Sequence, residues 1–212
     1  MSLPQLVLAS ASPRRLNLLA QIDIQPDRVC PADLDESPQN GELPINYVRR
    51  IAIAKAQAIS RKQNELILAG DTVVACGRRI LPKAETADIA RACLQLLSGR
   101  QHRVYGGIAL HLPNGQLRQR LVQSHVRFRR LSTLDVNKYI DSGDWQGKAG
   151  GYAIQGPAAR FIRDISGSYS NIVGLSLYDV SALLDAAGWY HICHHEDKMR
   201  KLGSRKQSKG RL

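Results

Sequence analysis

Cysteine is scarce in this chain and never closely spaced: Cys30, Cys76, Cys93 and Cys193 are scattered, with no CxxC pair. That spacing offers no disulfide framework, and the four read as reduced, mostly buried small apolar residues. No apolar run approaches the roughly 20 residues of a membrane helix. The basic-then-apolar pattern of a secretory leader is missing too, so the expected location is the cytoplasm, with no membrane contact. GxGxxG and GxxxxGK[ST] are both absent, which leaves Rossmann and P-loop sites unsupported. No Ser-His-Asp or Cys-His constellation is legible, and there is no internal repeat.

Acidic residues are also few, 18 against 30 Lys and Arg, for a formal net charge of +12. The excess is local. Residues 198–212, KMRKLGSRKQSKGRL, hold seven of the cations and no acid, leaving 23 of the 30 against 18 acids elsewhere. The chain therefore reads as one domain over 1–190 with a basic, disordered tail over 191–212. Such a tail attracts nucleic acid weakly, non-specifically and with strong salt dependence. No RNP-like aromatic set or recognition-helix pattern accompanies it. His191, Cys193, His194 and His195 lack the second ligand set that a zinc site needs.

What is present begins with LVLASASPRRLNLL at 6–19. Leu6-Val7-Leu8 reads as a short buried strand, Ser12 as a helix N-cap and Pro13 as the first helical residue. Arg14 and Arg15 then sit on the first turn, where cations oppose the helix dipole. A docked polyanion would reverse that penalty, since free N–H groups and two guanidiniums converge there; a solvated surface pair is the alternative. Residues 44–62 read as a helix with a stripe of Ile45, Val48, Ala52, Ala56 and Ile59. A buried strand follows at 66–75 and turns at Gly77 toward Ile80-Leu81. Thr86 caps a helix whose Ile89, Cys93, Leu96 and Leu97 face inward, ended by Gly99. Strands at 103–112 and 117–129 flank Asn114-Gly115, a strong hairpin signal. Ser132 and Asp135 form a capping box for a helix ending near Gly143. Strands are expected at 151–155 and 160–165, and a last helix at 177–187. The mixture implies an α/β fold around a mixed sheet.

Asp71 stands inside LILAGDTVVA, where a carboxylate is costly to bury alone. It either caps a turn or holds a metal or water at a strand end. The acidic run Asp33-Leu34-Asp35-Glu36-Ser37 offers oxygen ligands for a hard divalent cation, or is a solvated loop. Lys55 lies at the edge of its helix stripe and either snorkels to water or joins a site. Lys83 is unremarkable in isolation. In one shared pocket, two arginines, two lysines and two carboxylates would suit attack on a phosphoanhydride. The glycine-rich stretch 147–156 offers a wall for a base, with Gln155 pairing to its edge, or is a bulged strand.

These blocks recur in order: LASASPRR (8–15), DLDES (33–37), YVRRIAIAKA (47–56), AGDTVV (69–74), ILPK (80–83), FRRLS (128–132), GDWQGKAGGYAIQG (143–156) and ISGSYSNIVGLSL (165–177). Together they resemble the Maf family of nucleoside triphosphate pyrophosphatases, related in fold to the inosine triphosphate pyrophosphatases. The resemblance implies a bent mixed sheet with flanking helices, two lobes around a central cleft, and often a homodimer. It implies hydrolysis of a nucleoside triphosphate between the α and β phosphates with Mg²⁺ or Mn²⁺. By the same resemblance Asp71 is the proton acceptor, Glu36, Lys55 and Lys83 are active-site residues, and Ser10, Arg14 and Arg15 form the phosphate loop. Asp71 either takes that proton or holds the metal that activates the water, with Glu36 sharing the metal; the sequence leaves these two roles open. Arg14, Thr72 and Gln155 look like the subgroup that cleaves dTTP and UTP; a modified pyrimidine nucleotide is a related substrate class. The family's name also raises an alternative, a regulatory protein affecting septum formation. Two departures stand out: Ala84 follows Lys83 where the family often has proline, and Ser176 replaces the proline of GLPL. Both are expected to loosen their loops.

Overall fold

The computed structural model describes residues 4–189. Leu6, Val7 and Leu8 are fully buried in β1 (Gln5–Leu8) because both faces of this strand are covered. Leu6 and Leu8 join Leu66 and Leu68 on one face, against Leu18, Leu19, Val180, Leu183 and Leu184. Val7 joins Ile67, Ala69, Ala52 and Ala56 on the other. Chain order then continues through α1 (Pro13–Ala20), β2 (Arg28–Val29), α2 (Pro44–Ala58), β3 (Glu65–Cys76), β4 (Arg79–Ile80), α3 (Ala87–Leu97), β5 (Gln101–His111) and β6 (Leu117–Phe128). It closes with α4 (Thr133–Asp141), a 3₁₀ turn at Pro157–Phe161, β7 (Ile162–Ser166), α5 (Tyr169–Val173) and α6 (Leu177–Ala186).

The fold is mixed α/β: a central mixed sheet in the order β2-β1-β3-β5-β6-β7, with β4 paired to β3, and helices on its flanks. β1 runs parallel to β2 and β3, whereas β3, β5, β6 and β7 pair antiparallel. Two packing centres share the long β3 and β5. One gathers β1, α1 and α6 around the leucines above; the second gathers Val74, Leu94, Leu97, Val104, Phe128, Tyr139 and Phe161 with α3 and α4. Asp71 and Thr72 sit between them, opposite Gly107 and Gly106 on β5. Those glycines are spatial necessities. A Cβ at Gly107 would lie 2.2 Å from the Val48 carbonyl oxygen of α2, and one at Gly106 would lie 2.0 Å from Asn171 Oδ1. Their absence of side chains lets α2 and α5 press onto the sheet at the level of Asp71.

The Asn114-Gly115 hairpin, the Thr86 cap and the Ser132–Asp135 capping box all form. Other expectations need correction. α2 stops at Ala58 because the polar residues after Ile59 offer no inward face; Asn64 then turns with a φ of +67°. Ile45 is 37% exposed, and Tyr47 and Ile51 take its place on the buried face. In α3 the fully inward residues are Ala90, Cys93, Leu94 and Leu97, with Ile89 and Leu96 at the margins. No strand forms at 151–155, because Gly150 and Gly151 both adopt left-handed backbone (φ +65° and +70°) and fold the segment into turns. Ser12 precedes α1 in extended conformation, but its side chain makes no cap bond; its N–H donates to Ser10 Oγ instead. Cys93 is buried, whereas Cys30 and Cys76 are only half-buried. Cys193, the three histidines beside it and the whole of the 191–212 tail lie outside the described residues. No helix among the described residues is long and apolar enough to cross a membrane.

Candidate active site

Strand alternation puts Asp71 on the face of β3 shared with Ile67, Ala69 and Val73, which α2 covers. Lys55 lies on the buried face of α2, one turn beyond Ile51, and reaches it there. Its Nζ donates to Asp71 Oδ1 at 2.9 Å and contacts Glu36 Oε1 at 2.8 Å. Lys55 therefore does not snorkel: its side chain is 9% exposed and Asp71's 7%. Asp71 is a paired carboxylate, but only through one oxygen. Oδ2 is buried with no hydrogen-bond partner. Lys83, more than half exposed, completes the cluster from Nζ to Glu36 Oε2 at 3.2 Å. Burial pushes the Glu36 carboxyl up, yet the hydrogen bond and charge of Lys55, with Lys83 behind it, bring it below the usual carboxylate range.

Of the acidic run, only Glu36 enters this cluster; Asp35 turns back to accept the Ser37 N–H at 2.8 Å. Two residues that sequence reasoning missed hold the loop. Tyr47 donates its hydroxyl to the Glu36 carbonyl oxygen at 2.7 Å, and Arg50 bridges Glu42 and the Ser37 carbonyl oxygen. Both lie in YVRR, whose aromatic and basic residues are conspicuous on an otherwise aliphatic helix. Burial, then the charges of Asp71 and Glu36, push the Tyr47 phenol well up, so it stays a donor.

The two arginines of α1 diverge. Arg15 is buried and fully used: Nε donates to the Gly174 carbonyl oxygen at 2.9 Å, Nη1 to Ser10 Oγ at 2.9 Å and Nη2 to Thr72 Oγ1 at 3.4 Å. Thr72 Oγ1 in turn donates to Gly174 O at 3.0 Å. Arg15 thus ties the loop before α1 to β3 and to the end of α5, and its burial lowers the guanidinium pKa. Arg14 stays half-buried at the rim of the cleft. Both departures from the family pattern tighten the structure rather than loosen it. The Ala84 N–H donates to the Lys148 carbonyl oxygen at 3.0 Å, which proline could not do. Ser176 caps α6, donating to Asp179 Oδ2 at 2.5 Å and accepting from the Asp179 N–H at 3.5 Å.

The cluster opens into a cleft of about 550 Å³ whose lining includes Ser10, Arg14, Glu36, Asp71, Lys83 and Gln155. Lys83 and the glycine-rich segment are joined by a bridge to Ala149 and by Gly150 N–H donating to Pro82 O at 3.0 Å. The structure thus brings every predicted site residue to one cleft, though Arg15 and Thr72 serve mainly to brace it.

Tyr152, on the cleft wall, is held from behind by His102, whose Nε2 lies 2.8 Å from the Tyr152 hydroxyl. His102 is 1% exposed, its Nδ1 has no partner, and burial pulls its pKa from 6.5 down to about 4. Above pH 6.5 the folded and unfolded chains both carry it neutral. Below that, only the unfolded chain protonates, so stability falls between about pH 6.5 and pH 4 and then levels off. We expect this one residue to contribute a loss of about 2–3 kcal/mol over the window. Denaturant unfolding across that range checks it: His102→Gln should flatten the slope, and an unchanged slope would refute the assignment.

Residues 5–187 match the family described as Maf-like protein. A dTTP/UTP pyrophosphatase of Paramagnetospirillum magneticum (strain ATCC 700264 / AMB-1) is 60% identical over 185 residues, covering 87% of this chain and 97% of that protein. A dTTP/UTP pyrophosphatase of Brucella abortus (strain 2308) is 55% identical over 192 residues, covering 87% and 92%. Among solved structures, a HAM1 protein from Coxiella burnetii aligns with a TM-score of 0.49 and 17% identity, over 87% of this chain and 100% of that one. Since the match runs from β1 to the end of α6 and takes in every element of the cleft, this chain belongs to the Maf-like protein family.

Proposed function

We propose that the chain hydrolyses dTTP and UTP between the α and β phosphates, releasing the nucleoside monophosphate and pyrophosphate. The observation that carries this reading is Asp71: one oxygen is fixed by Lys55, and the other is buried without a partner beside a cationic cleft. An oxygen so placed can take the proton of a water attacking the α phosphorus. The new P–O bond forms as the bond to the β-phosphate oxygen breaks, and pyrophosphate leaves with the electron pair. Arg14, Lys55 and Lys83 offset the charge that accumulates on the phosphates. Arg15 contributes by fixing Ser10 and Thr72 around the loop.

The donor set also suits a divalent cation. Glu36 and Asp71 supply carboxylate oxygens, one of them unpartnered, and no cluster of three or more His, Cys, Asp or Glu occurs among the described residues. Two carboxylates completed by phosphate oxygens and water is the coordination Mg²⁺ and Mn²⁺ take at nucleotide sites. When bound, such an ion supplies charge neutralisation and a more acidic water. The measurement that tests the reading is a nucleotide panel with Mg²⁺ or Mn²⁺, scored for pyrophosphate. Release of orthophosphate alone, or no turnover of any pyrimidine triphosphate, would overturn it.

Gln155 stands on the cleft wall three residues beyond Tyr152, and its amide offers a donor and an acceptor side by side. With its NH₂ toward O4 and its oxygen toward N3–H the amide matches the uracil or thymine edge, whereas cytosine in the same pose puts an amino donor where O4 would accept. A mismatched polar pair costs about 1–3 kcal/mol when desolvated. UTP should therefore be preferred over CTP by roughly 5- to 150-fold in kcat/KM. Gln155→Ala should collapse most of that ratio; parity of the two nucleotides in the unmodified protein would remove Gln155 as the reader.

A further inference from the structure

Along β5 and β6 from the hydrolytic cleft, the ends of three neighbouring strands gather arginines around a second groove. Arg100 precedes β5, Arg127, Arg129 and Arg130 close β6, and Arg163 lies on the edge strand β7. Backbone bonds hold these ends side by side: Phe128 N–H donates to Arg100 O at 3.0 Å and Arg129 N–H to Phe161 O at 2.8 Å. The groove they line encloses about 600 Å³. Strand spacing of about 4.8 Å sets the outer two of these three strand ends roughly 10 Å apart in the backbone.

Acid is in short supply there. Asp135 accepts from both nitrogens of Arg129 at 2.8 and 2.9 Å and also serves Arg160 at 3.1 Å. Asp164 approaches Arg127 only to 4.0 Å. Arg100, Arg130 and Arg163 are exposed and make no ion pair among the described residues. Like charges kept this close repel one another, and an anion relieves the repulsion. The groove has no exposed ring on which a base could stack. Phe128 and Phe161 are each 1% exposed, and Arg129 and Arg160 lie over the Phe161 ring. The chemistry on offer therefore recognises phosphates and ignores bases. In register, Gln101 lies six residues along β5 from Gly107, the partner of Asp71, or about 20 Å away. The two pockets share no lining residue.

We propose that this groove binds a run of adjacent phosphate groups, from a free oligophosphate or a nucleic-acid backbone, at a site separate from the hydrolytic cleft. The test compares the full chain with an Arg100→Gln/Arg130→Gln/Arg163→Gln variant. Inorganic tripolyphosphate is titrated by calorimetry and a dT₁₂ strand by fluorescence anisotropy over a salt series; the basic tail is common to both proteins. Tripolyphosphate should lose one binding equivalent in the variant, or bind it at least tenfold more weakly. If the source is a nucleic-acid backbone, the dT₁₂ salt slope should also fall by about 2, the share of three released counterions. An effect on tripolyphosphate alone assigns a free oligophosphate. Should the triple variant prove unstable, Arg163→Gln alone, at an exposed edge position, should lower the slope or the tripolyphosphate affinity in smaller measure. Unchanged binding of both probes would overturn the proposal. So would loss of nucleotide hydrolysis at unchanged thermal stability, which would place the groove on the substrate path.

Discussion

Replacing Asp71 by asparagine is expected to lower kcat about 10²-fold or more while leaving nucleotide binding largely intact, since positioned proton transfer alone is worth roughly 10²–10⁴-fold. The amide keeps the shape of the side chain but loses the charge and the basic oxygen that stands unpartnered at the cleft. Read in sequence, a carboxylate in an apolar strand suggests that its neutralisation relieves strain and holds or raises stability. The structure reverses that expectation. Asp71 accepts a 2.9 Å hydrogen bond from buried Lys55, so Asp71→Asn leaves the lysine with Glu36 as its remaining counter-charge. A loss of about 1–3 kcal/mol follows. Steady-state kinetics beside denaturant unfolding separate the two effects, and a variant with full turnover would remove the proton-acceptor role.

Lys55→Met should produce a large loss of stability. The methionine keeps most of the aliphatic stem but removes the ammonium shared by two carboxylates at 2.8 and 2.9 Å. Asp71 then loses its one hydrogen-bond donor in a buried position. Removing one partner of a buried ion pair typically costs about 3–5 kcal/mol, because the remaining charge is stranded. For a domain of this size that is a fall in Tm of about 10 °C. Turnover should fall too, as Asp71 and Glu36 repel each other and the phosphates lose a cation. A thermal scan showing less than a 2 °C change would refute the stabilising role given to this ion pair.

How much of this was legible beforehand depended on how local each signal is. The strand-turn-helix at 6–20, the Asn114-Gly115 hairpin and the capping box at Ser132 are written in neighbouring residues, and all three formed. The stretch 151–155 misled because its apolar residues alternate plausibly, while the two positive-φ glycines that fold it are decided by packing against β3 and α3. Resemblance to a known family brought Asp71, Glu36, Lys55 and Lys83 together on paper; local chemistry alone left each ambiguous. Invisible at that level were the braces: Tyr47 on the Glu36 carbonyl, His102 behind Tyr152 and Arg15 on Gly174. Each joins residues that only the tertiary fold makes neighbours.

That last contact bears on how the protein is made. Arg15 and Gly174 are 159 positions apart, and Trp189 donates to the Pro4 carbonyl oxygen across 185. Synthesis proceeds from the N-terminus, so the loop before α1 emerges early and waits, its guanidinium held by water alone, until nearly the whole domain has followed. Closing so long a loop is slow relative to local helix formation. The nascent chain therefore stays without a finished cleft until α5 docks, and a product of translation cut short before Gly174 is expected to turn over no nucleotide.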